Sequence, residues 1–391
     1  MKIIIIGAGI AGLTLGVACQ RAGMEVKIYE KASYLKNIGG GILLWPHGLR
    51  YLNWLGLSAC VEEAYVAIKG YDIAGYQGHS ITSDHYTDLY TLLGGEILPI
   101  ERSYFQNKLL SQFATENLFL NKTCIAVSSH EQAAHVMFAD GTMDTADLIV
   151  GADGIHSAVR KNLNPHAALQ YSNHCWWGGI LEKKYVPMLS SDEVYMTMGV
   201  GKLCIVWPTV DERFMWYLPV KMSQTDLMHD SDGRAQLNSI CVGWNKIIDK
   251  IISAPTNAQR FHLPIHTLAP QPYCSVNRIV LIGDAAHTVG PILGQGASLA
   301  IEDAFVLFNC LMNKKMSFPT LLQTYESLRH HRYECMAKLE NQVAEMMIYD
   351  DAASLEWFQQ QLPNINLVTM YQDLIPLVDE KACLDLAAAC R

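Results

Sequence analysis

Residues 2–30 read KIIIIGAGIAGLTLGVACQRAGMEVKIYE. A β-branched run, Lys2–Ile6, meets a glycine-rich corner. An apolar helical stretch then continues to about Arg21, Gly23 closes it, and EVKIYE forms a second strand. Strand, turn, helix and strand within ~30 residues make a βαβ unit, because parallel neighbours need a crossover of that length. Gly7, Gly9 and Gly12 satisfy G-x-G-x-x-G at the strand-to-helix corner. In that pattern the first glycine permits a tight turn, the second lets backbone amides approach a pyrophosphate, and the third lets helix and strand pack closely. The helix N-terminus adds roughly half a positive charge facing the phosphates. Glu30 ends the second strand, where a carboxylate accepts hydrogen bonds from a ribose diol. The unit binds a dinucleotide, but NAD and FAD share the half it reads.

A second glycine cluster separates the two. Residues 283–304 read GDAAHTVGPILGQGASLAIEDA. Asp284 stands at the carboxyl end of a strand, and Gly294 and Gly296 open a helix. A second strand end with a helix N-terminus suits FAD, whose ribityl chain and flavin ring extend well beyond the pyrophosphate. Nicotinamide has no need of it. Asp284 is expected at the ribityl and linking-phosphate region, and the amides near Gly294, Gly296 and Ala297 at the pyrimidine edge of the ring. A helix N-terminus there stabilises the anionic reduced flavin. Pro291 would stiffen the approach and shape the wall beside the ring.

The totals fit a globular protein. The 391 residues allow roughly two to three domains. Half of them are hydrophobic and 17% are charged, so a large core is available. A net charge of −9 argues against a nucleic-acid partner. Eleven cysteines are scattered singly from Cys19 to Cys390 with no zinc-type spacing, so no metal site is expected, and a reducing, cytoplasmic setting is. The N-terminus has the basic start of a signal peptide, but its glycines interrupt the apolar run at cofactor spacing. No apolar run reaches ~18 residues, so no membrane span is expected.

Along the chain, TADLIVGADG and NRIVLIGDAA each read as a buried strand entering a small-residue turn. Residues 168–220 carry alternating runs, such as SDEVYMTMGV, LCIVWPT and RFMWYLPV, that suggest an antiparallel sheet. From Pro319 to about Tyr349 the chain is helix-like. The expected fold is α/β: a three-part Rossmann-like FAD-binding domain (1–72, 98–167 and 273–349) with an inserted antiparallel β-sheet substrate domain (73–97 and 168–272). A C-terminal helical region (350–391) follows.

The segments GAGIAG…E, GADGIHSAVR and GDAAHTVGPILGQG, in this order, resemble the three signatures of the class A flavoprotein aromatic monooxygenases of the p-hydroxybenzoate hydroxylase type. The resemblance covers residues 1 to about 345. It implies bound FAD and NADPH or NADH as a transient reductant, so no second nucleotide fold is required. Dioxygen is the co-substrate, and a flavin hydroperoxide would hydroxylate a small aromatic, heteroaromatic or polyketide-like substrate. It associates Asp153 with FAD and NAD(P)H, and Arg102 in PIERSYFQ with FAD at a helix start. Ala11 and Lys31 complete the expected cofactor set. Bland readings stay open: Asp153 as an N-cap for a helix near His156, Arg160 as a solvated helix residue, and His287 as structural. A dedicated catalytic side chain is not obligatory, since the protein mainly excludes water and orients substrate.

Substrate-pocket candidates are Trp45 and His47, after the Gly39–Gly41 turn, together with Trp176, Trp207, Tyr217 and Pro291. Trp177 and Trp216 share the same sheet. Large aromatics are mostly core residues, and His47 could equally be a surface residue in a turn. WPHG, GVGKLCIVWP and RFMWYLPV look most like urate hydroxylases and their salicylate-hydroxylase relatives. Two departures stand out: Leu203 replaces the arginine those enzymes place after GK, and Ile292 replaces the aspartate after the proline of the third motif. Without those anchors the edges of urate would lie unpaired, at ~1–3 kcal/mol per buried group, so a less polar substrate is expected. A tetracycline-inactivating monooxygenase is the nearest alternative, and a non-catalytic flavin-binding protein the alternative of another class. A halogenase is disfavoured because its Gly-Trp-x-Trp-x-Ile-Pro stretch is missing. A monomer or homodimer is expected.

Overall fold

The structure, a computed structural model, describes residues 1–35, 40–227, 233–255 and 260–365 together with Asp385. Gly39 of the expected turn, and all of the expected helical tail beyond 365 except Asp385, lie outside the described residues.

Three distant pieces of chain build one sheet. Its six strands run in the order Ser275–Val276, Ile279–Leu281, Leu148–Gly151, Lys2–Ile6, Glu25–Tyr29 and Leu118–Phe119. All neighbours are parallel except the pair at the Ser275–Val276 edge. Ile3, Ile4 and Ile5 are wholly buried, as expected of a central parallel strand covered on both faces. The helices Ile10–Arg21 and Gly296–Met312 pack against one another, so both glycine corners meet in space. The α/β fold and its three-part sheet are those expected from the sequence.

The inserted sheet has seven strands, in the order Phe261–Leu268, Leu169–Glu182, Arg213–Lys221, Lys202–Thr209, Glu193–Gly199, Gly70–Ala74 and Ser80–His85. It is antiparallel apart from one neighbour pair: Glu193–Gly199 lies parallel to Gly70–Ala74. The physical reason is connectivity, since the chain leaves this sheet after residue 85 and re-enters it from the parallel core. Strand alternation gives the sheet two apolar faces. Trp177, Val206, Phe214 and Trp216 pack with Leu237, Trp244 and Ile248 from the helices Arg234–Cys241 and Lys246–Ser253. Leu203, Ile205, Trp207 and Met215 face the other way, toward Leu293, Leu299 and Met336.

The long helix Phe318–Met347 ties the two sheets together. Ser317 caps it, and Pro319 sits in its first turn, where no amide partner is needed. Leu321, Leu322 and Tyr325 join the parallel-sheet core, whereas Met336, about three to four turns later, joins the core of the inserted sheet. Arg329, Arg332 and Glu340 are buried on the same helix. Among the described residues, no helix is long and apolar enough to cross a membrane.

Candidate cofactor and substrate site

At the first corner, Gly7 has φ +108, and a Cβ built there would stand 2.3 Å from the Ala152 carbonyl oxygen. The strand end of Leu148–Gly151 runs that close. At Gly12 a Cβ would meet the Gly7 carbonyl oxygen at 2.1 Å. Gly9 differs, because a Cβ there would meet nothing within 4 Å. It is the N-cap of the helix Ile10–Arg21, whose first turn carries no acid and no side-chain cap. The helix start is therefore open beside Gly9 and has no side-chain cap of its own, as an anion site requires.

Glu30 is half-buried. Its Oε2 accepts from the Ala8 amide (3.0 Å) and its Oε1 from the Ala32 amide (2.9 Å), which leaves each oxygen lone-pair capacity for a diol. The Gln106 side-chain amide donates to the Ala8 carbonyl at 2.7 Å and holds the loop from the helix Arg102–Leu110. The sequence reading missed this residue. Ala11 is buried, and its Cβ lies 3.0 Å from where a Gly283 Cβ would stand, so the first and third motifs touch. Lys31 is exposed.

The middle motif divides. The Asp153 carboxylate serves the following helix, Ala158–Leu163: it accepts from Ser157 Oγ (2.5 Å) and the Ala158 amide (2.7 Å). Burial pushes its carboxyl up, opposed by these hydrogen bonds. Arg160 is not a solvated helix residue. It is 1% exposed, and its guanidinium donates to the carbonyls of Asp284 (3.2 Å), Ala285 (3.1 Å) and Ile155. It buckles the second motif to the third.

In the third motif, Asp284 keeps its side chain open to solvent although protein surrounds it, as on the floor of a cleft. That surrounding mass pushes its carboxyl up, while nearby His287, Arg102 and Arg160 pull it down. Gly294 has φ +63, and Gly296 begins the helix Gly296–Met312, again with no side-chain cap and no acid in its first turn. A Cβ on Gly296 would meet nothing within 4 Å, and the buried Gln295 Oε1 has no partner. Ala297 and Pro291 are partly buried beside it.

Behind this loop lies a buried polar network centred on Asp303. One of its oxygens accepts from the Gly283 amide (2.6 Å) and His287 Nε2 (2.6 Å), the other from Arg329 Nε (2.7 Å) and Tyr333 Oη (2.7 Å). Burial alone would raise its carboxyl; His287 and Arg329 outweigh that and hold it at about 2. His287 stacks on Tyr333, with ring centroids 4.0 Å apart, which is a structural setting.

The aromatic candidates separate as well. Trp45 is buried, and its indole N–H donates to the Leu293 carbonyl at 3.1 Å, so it braces the third-motif loop. His47 is wholly buried in the first turn of the helix Pro46–Trp54 rather than in a surface turn, because that helix packs against Gly296–Met312. Its imidazole nitrogens have no hydrogen-bond partner, and burial together with nearby arginines holds its pKa well below the ordinary histidine value. Trp207 and Tyr217 lie on the sheet face toward the loop. Trp176 packs beside Tyr217 at 6.1 Å. The Tyr217 hydroxyl accepts from the Gly41 amide at 2.9 Å. Trp177 and Trp216 point into the opposite core.

Two uncapped helix N-termini, an acid at one strand end and an exposed acid at another define a flavin-nucleotide fold of the two-corner kind. A family model described as "FAD binding domain" matches residues 1–339, and the chain belongs to that family. It binds FAD, as the class A flavin monooxygenases that its motifs resemble do. The chain is 29% identical to an aurachin C monooxygenase/isomerase of Stigmatella aurantiaca, over 93% of each chain. It is 26% identical to a FAD-dependent urate hydroxylase of Klebsiella oxytoca, covering 92% of this chain and 94% of that one. The solved structure of Klebsiella pneumoniae HpxO complexed with FAD and uric acid superposes with a TM-score of 0.89 at 25% identity, covering 97% and 96% of the two chains.

Proposed function

We propose that this chain is a FAD-dependent monooxygenase that consumes NADPH or NADH and hydroxylates a small, weakly polar aromatic or heteroaromatic compound. The observation that carries the reading is the uncapped helix start at Gly294–Gly296 facing the apolar side of the inserted sheet. Bound FAD supplies electron transfer and activation of dioxygen. Gly9, Glu30 and the first helix hold its ADP half. Asp284, Arg102 and the amides of Gly296 and Ala297 hold its ribityl and ring half. The residues of the inserted sheet exclude water and orient the substrate ring.

The apolar wall supports the substrate class. Leu203 is wholly buried, among Ile205, Trp207 and Met215, and Ile292 packs beside them from the loop. A ring with several polar edges would leave hydrogen bonds unmade there, at about 1–3 kcal/mol each, so urate is disfavoured. The division into a FAD-binding part, an inserted substrate part and a C-terminal helical region belongs to this reading. So does a cytoplasmic setting, supported by nine free cysteines among the described residues, eight of them buried.

The test is a screen of planar aromatic compounds, urate included, for stimulated NAD(P)H oxidation by the purified yellow protein. Oxygen from labelled dioxygen should then appear in the product. A protein that binds FAD but shows no substrate-stimulated oxidation with any ring compound would be a flavin-binding protein without this activity.

A further inference from the structure

The loop Gly290–Gly296 must hold its amides still where the flavin ring would meet them, yet it has no regular secondary structure before Gly296. Its ties come from behind. Trp45 takes the Leu293 carbonyl. Leu43 fills the space at Gly294, where a Cβ would stand 2.8 Å from a leucine methyl. The third tie is Glu340, on the long helix, 3% exposed. One of its oxygens accepts from the Ile292 amide and the other from the Leu293 amide (3.1 Å), so one carboxylate clamps two consecutive peptides. Gly290 is shaped to it: a Cβ there would stand 2.5, 2.8 and 3.0 Å from Glu340 Oε1, Cγ and Cδ, its three nearest atoms. A buried carboxylate is costly, and burial pushes this one up to about 7 despite the two amides. An apolar residue would fill the same volume without that cost, so the acid serves the loop.

We propose that Glu340 is a positioning residue that sets the geometry of the flavin-facing loop from behind, without touching the flavin. The inference rests on the flavin-site reading above. It makes Gly290 and Glu340 one unit, which a double-mutant cycle can measure. Gly290→Ala pushes the loop off the clamp when Glu340 is present. In a Glu340→Ala background the atoms it would strike are gone.

The experiment uses full-length protein and three readouts: FAD dissociation constant by fluorescence quenching, reduction potential of the bound flavin, and thermal midpoint of the apoprotein. In the wild-type background Gly290→Ala should weaken FAD about tenfold, the worth of one lost charge-assisted hydrogen bond, and make the potential more negative. In the Glu340→Ala background it should change affinity less than about twofold and leave the potential where it was. Comparing within each background cancels the direct effect of the Glu340 charge. Glu340→Gln, which keeps the shape but cannot accept from both amides, should weaken FAD by a similar factor and lower the apoprotein midpoint by no more than a few degrees. Equal Gly290→Ala effects in both backgrounds, or wild-type affinity in Glu340→Gln, would overturn the proposal. A wild-type protein that takes up no FAD would instead overturn the flavin-site reading, and the proposal with it.

Discussion

Gly9→Ala and Gly7→Ala should part company, because one glycine faces open space and the other faces backbone. At Gly9 the backbone (φ −75, ψ −175) suits alanine, and the new methyl meets nothing within 4 Å. Alanine there stabilises by ~0.4–1 kcal/mol through the unfolded chain, and loses a similar amount because glycine is the better N-cap. Apoprotein stability should therefore stay within about 0.5 kcal/mol of wild type. The methyl nevertheless occupies the space through which a phosphate reaches the helix amides. Losing one charge-assisted bond there costs ~1.5–3 kcal/mol, a roughly 10- to 150-fold weaker grip on FAD. At Gly7 the methyl meets Ala152 carbonyl atoms at 2.3 and 2.7 Å with φ +108, and backbone cannot rotate aside. Strain and overpacking of ~1–3 kcal/mol each give a loss of about 2–6 kcal/mol, a large part of an ordinary domain's stability. Urea unfolding of the apoproteins and FAD titration by flavin fluorescence read the two quantities separately. Gly9→Ala binding FAD as tightly as wild type would refute the placement of the pyrophosphate.

Arg160→Met should strand the buried carbonyls of Asp284 and Ala285, at about 2–4 kcal/mol in urea unfolding. A loss below about 0.5 kcal/mol would mean the arginine does not join the two motifs. Asp303 sets an acid limit: its carboxyl is lowered from 3.8 to about 2, so its contribution is fully present above pH ~4 and is lost as the pH falls through 2. At about 1.4 kcal/mol per pH unit that is about 2 kcal/mol, visible as a fall in urea midpoint below pH 4 that Asp303→Asn should flatten. Tyr217→Phe removes the acceptor of the Gly41 amide and should cost about 1 kcal/mol. An unchanged midpoint would show that water replaces the hydroxyl without loss.

The first corner was legible because its logic is local: strand, glycine spacing and helix lie within one βαβ unit, and Glu30 ends it. The third motif was legible in its glycines and Asp284 for the same reason. Arg160 was not, since what buries it are carbonyls 124 and 125 residues away. Asp303 stood inside the quoted stretch and passed unremarked, because its role needs Arg329 and Tyr333 from another helix. The tryptophan candidates had a signal available. Trp176 and Trp177 are adjacent on one strand, so they must face opposite sides, and only one of them can share the loop-facing side with Tyr217. The parallel neighbour in the inserted sheet had no signal, since pairing across the crossover leaves no trace in either strand.

The hidden residues share a chemical logic. A site built from amides must keep those amides unpaired on the ligand side, or the ligand finds no donors. The loops bearing them can then be secured only from behind, through the peptide groups that point away. Backbone carbonyls are met by fixed donors: Arg160 and the Trp45 indole take those of Asp284, Ala285 and Leu293. Backbone amides need acceptors able to take several bonds at once, and a carboxylate is the most compact of these. Asp303 takes the amide of Gly283 and Glu340 takes those of Ile292 and Leu293, each oriented by a helix. Buried charges packed around a nucleotide fold are then expected where the ligand side is held open. Replacing them with hydrocarbon would fill the same volume, strand those peptide groups and lose the site.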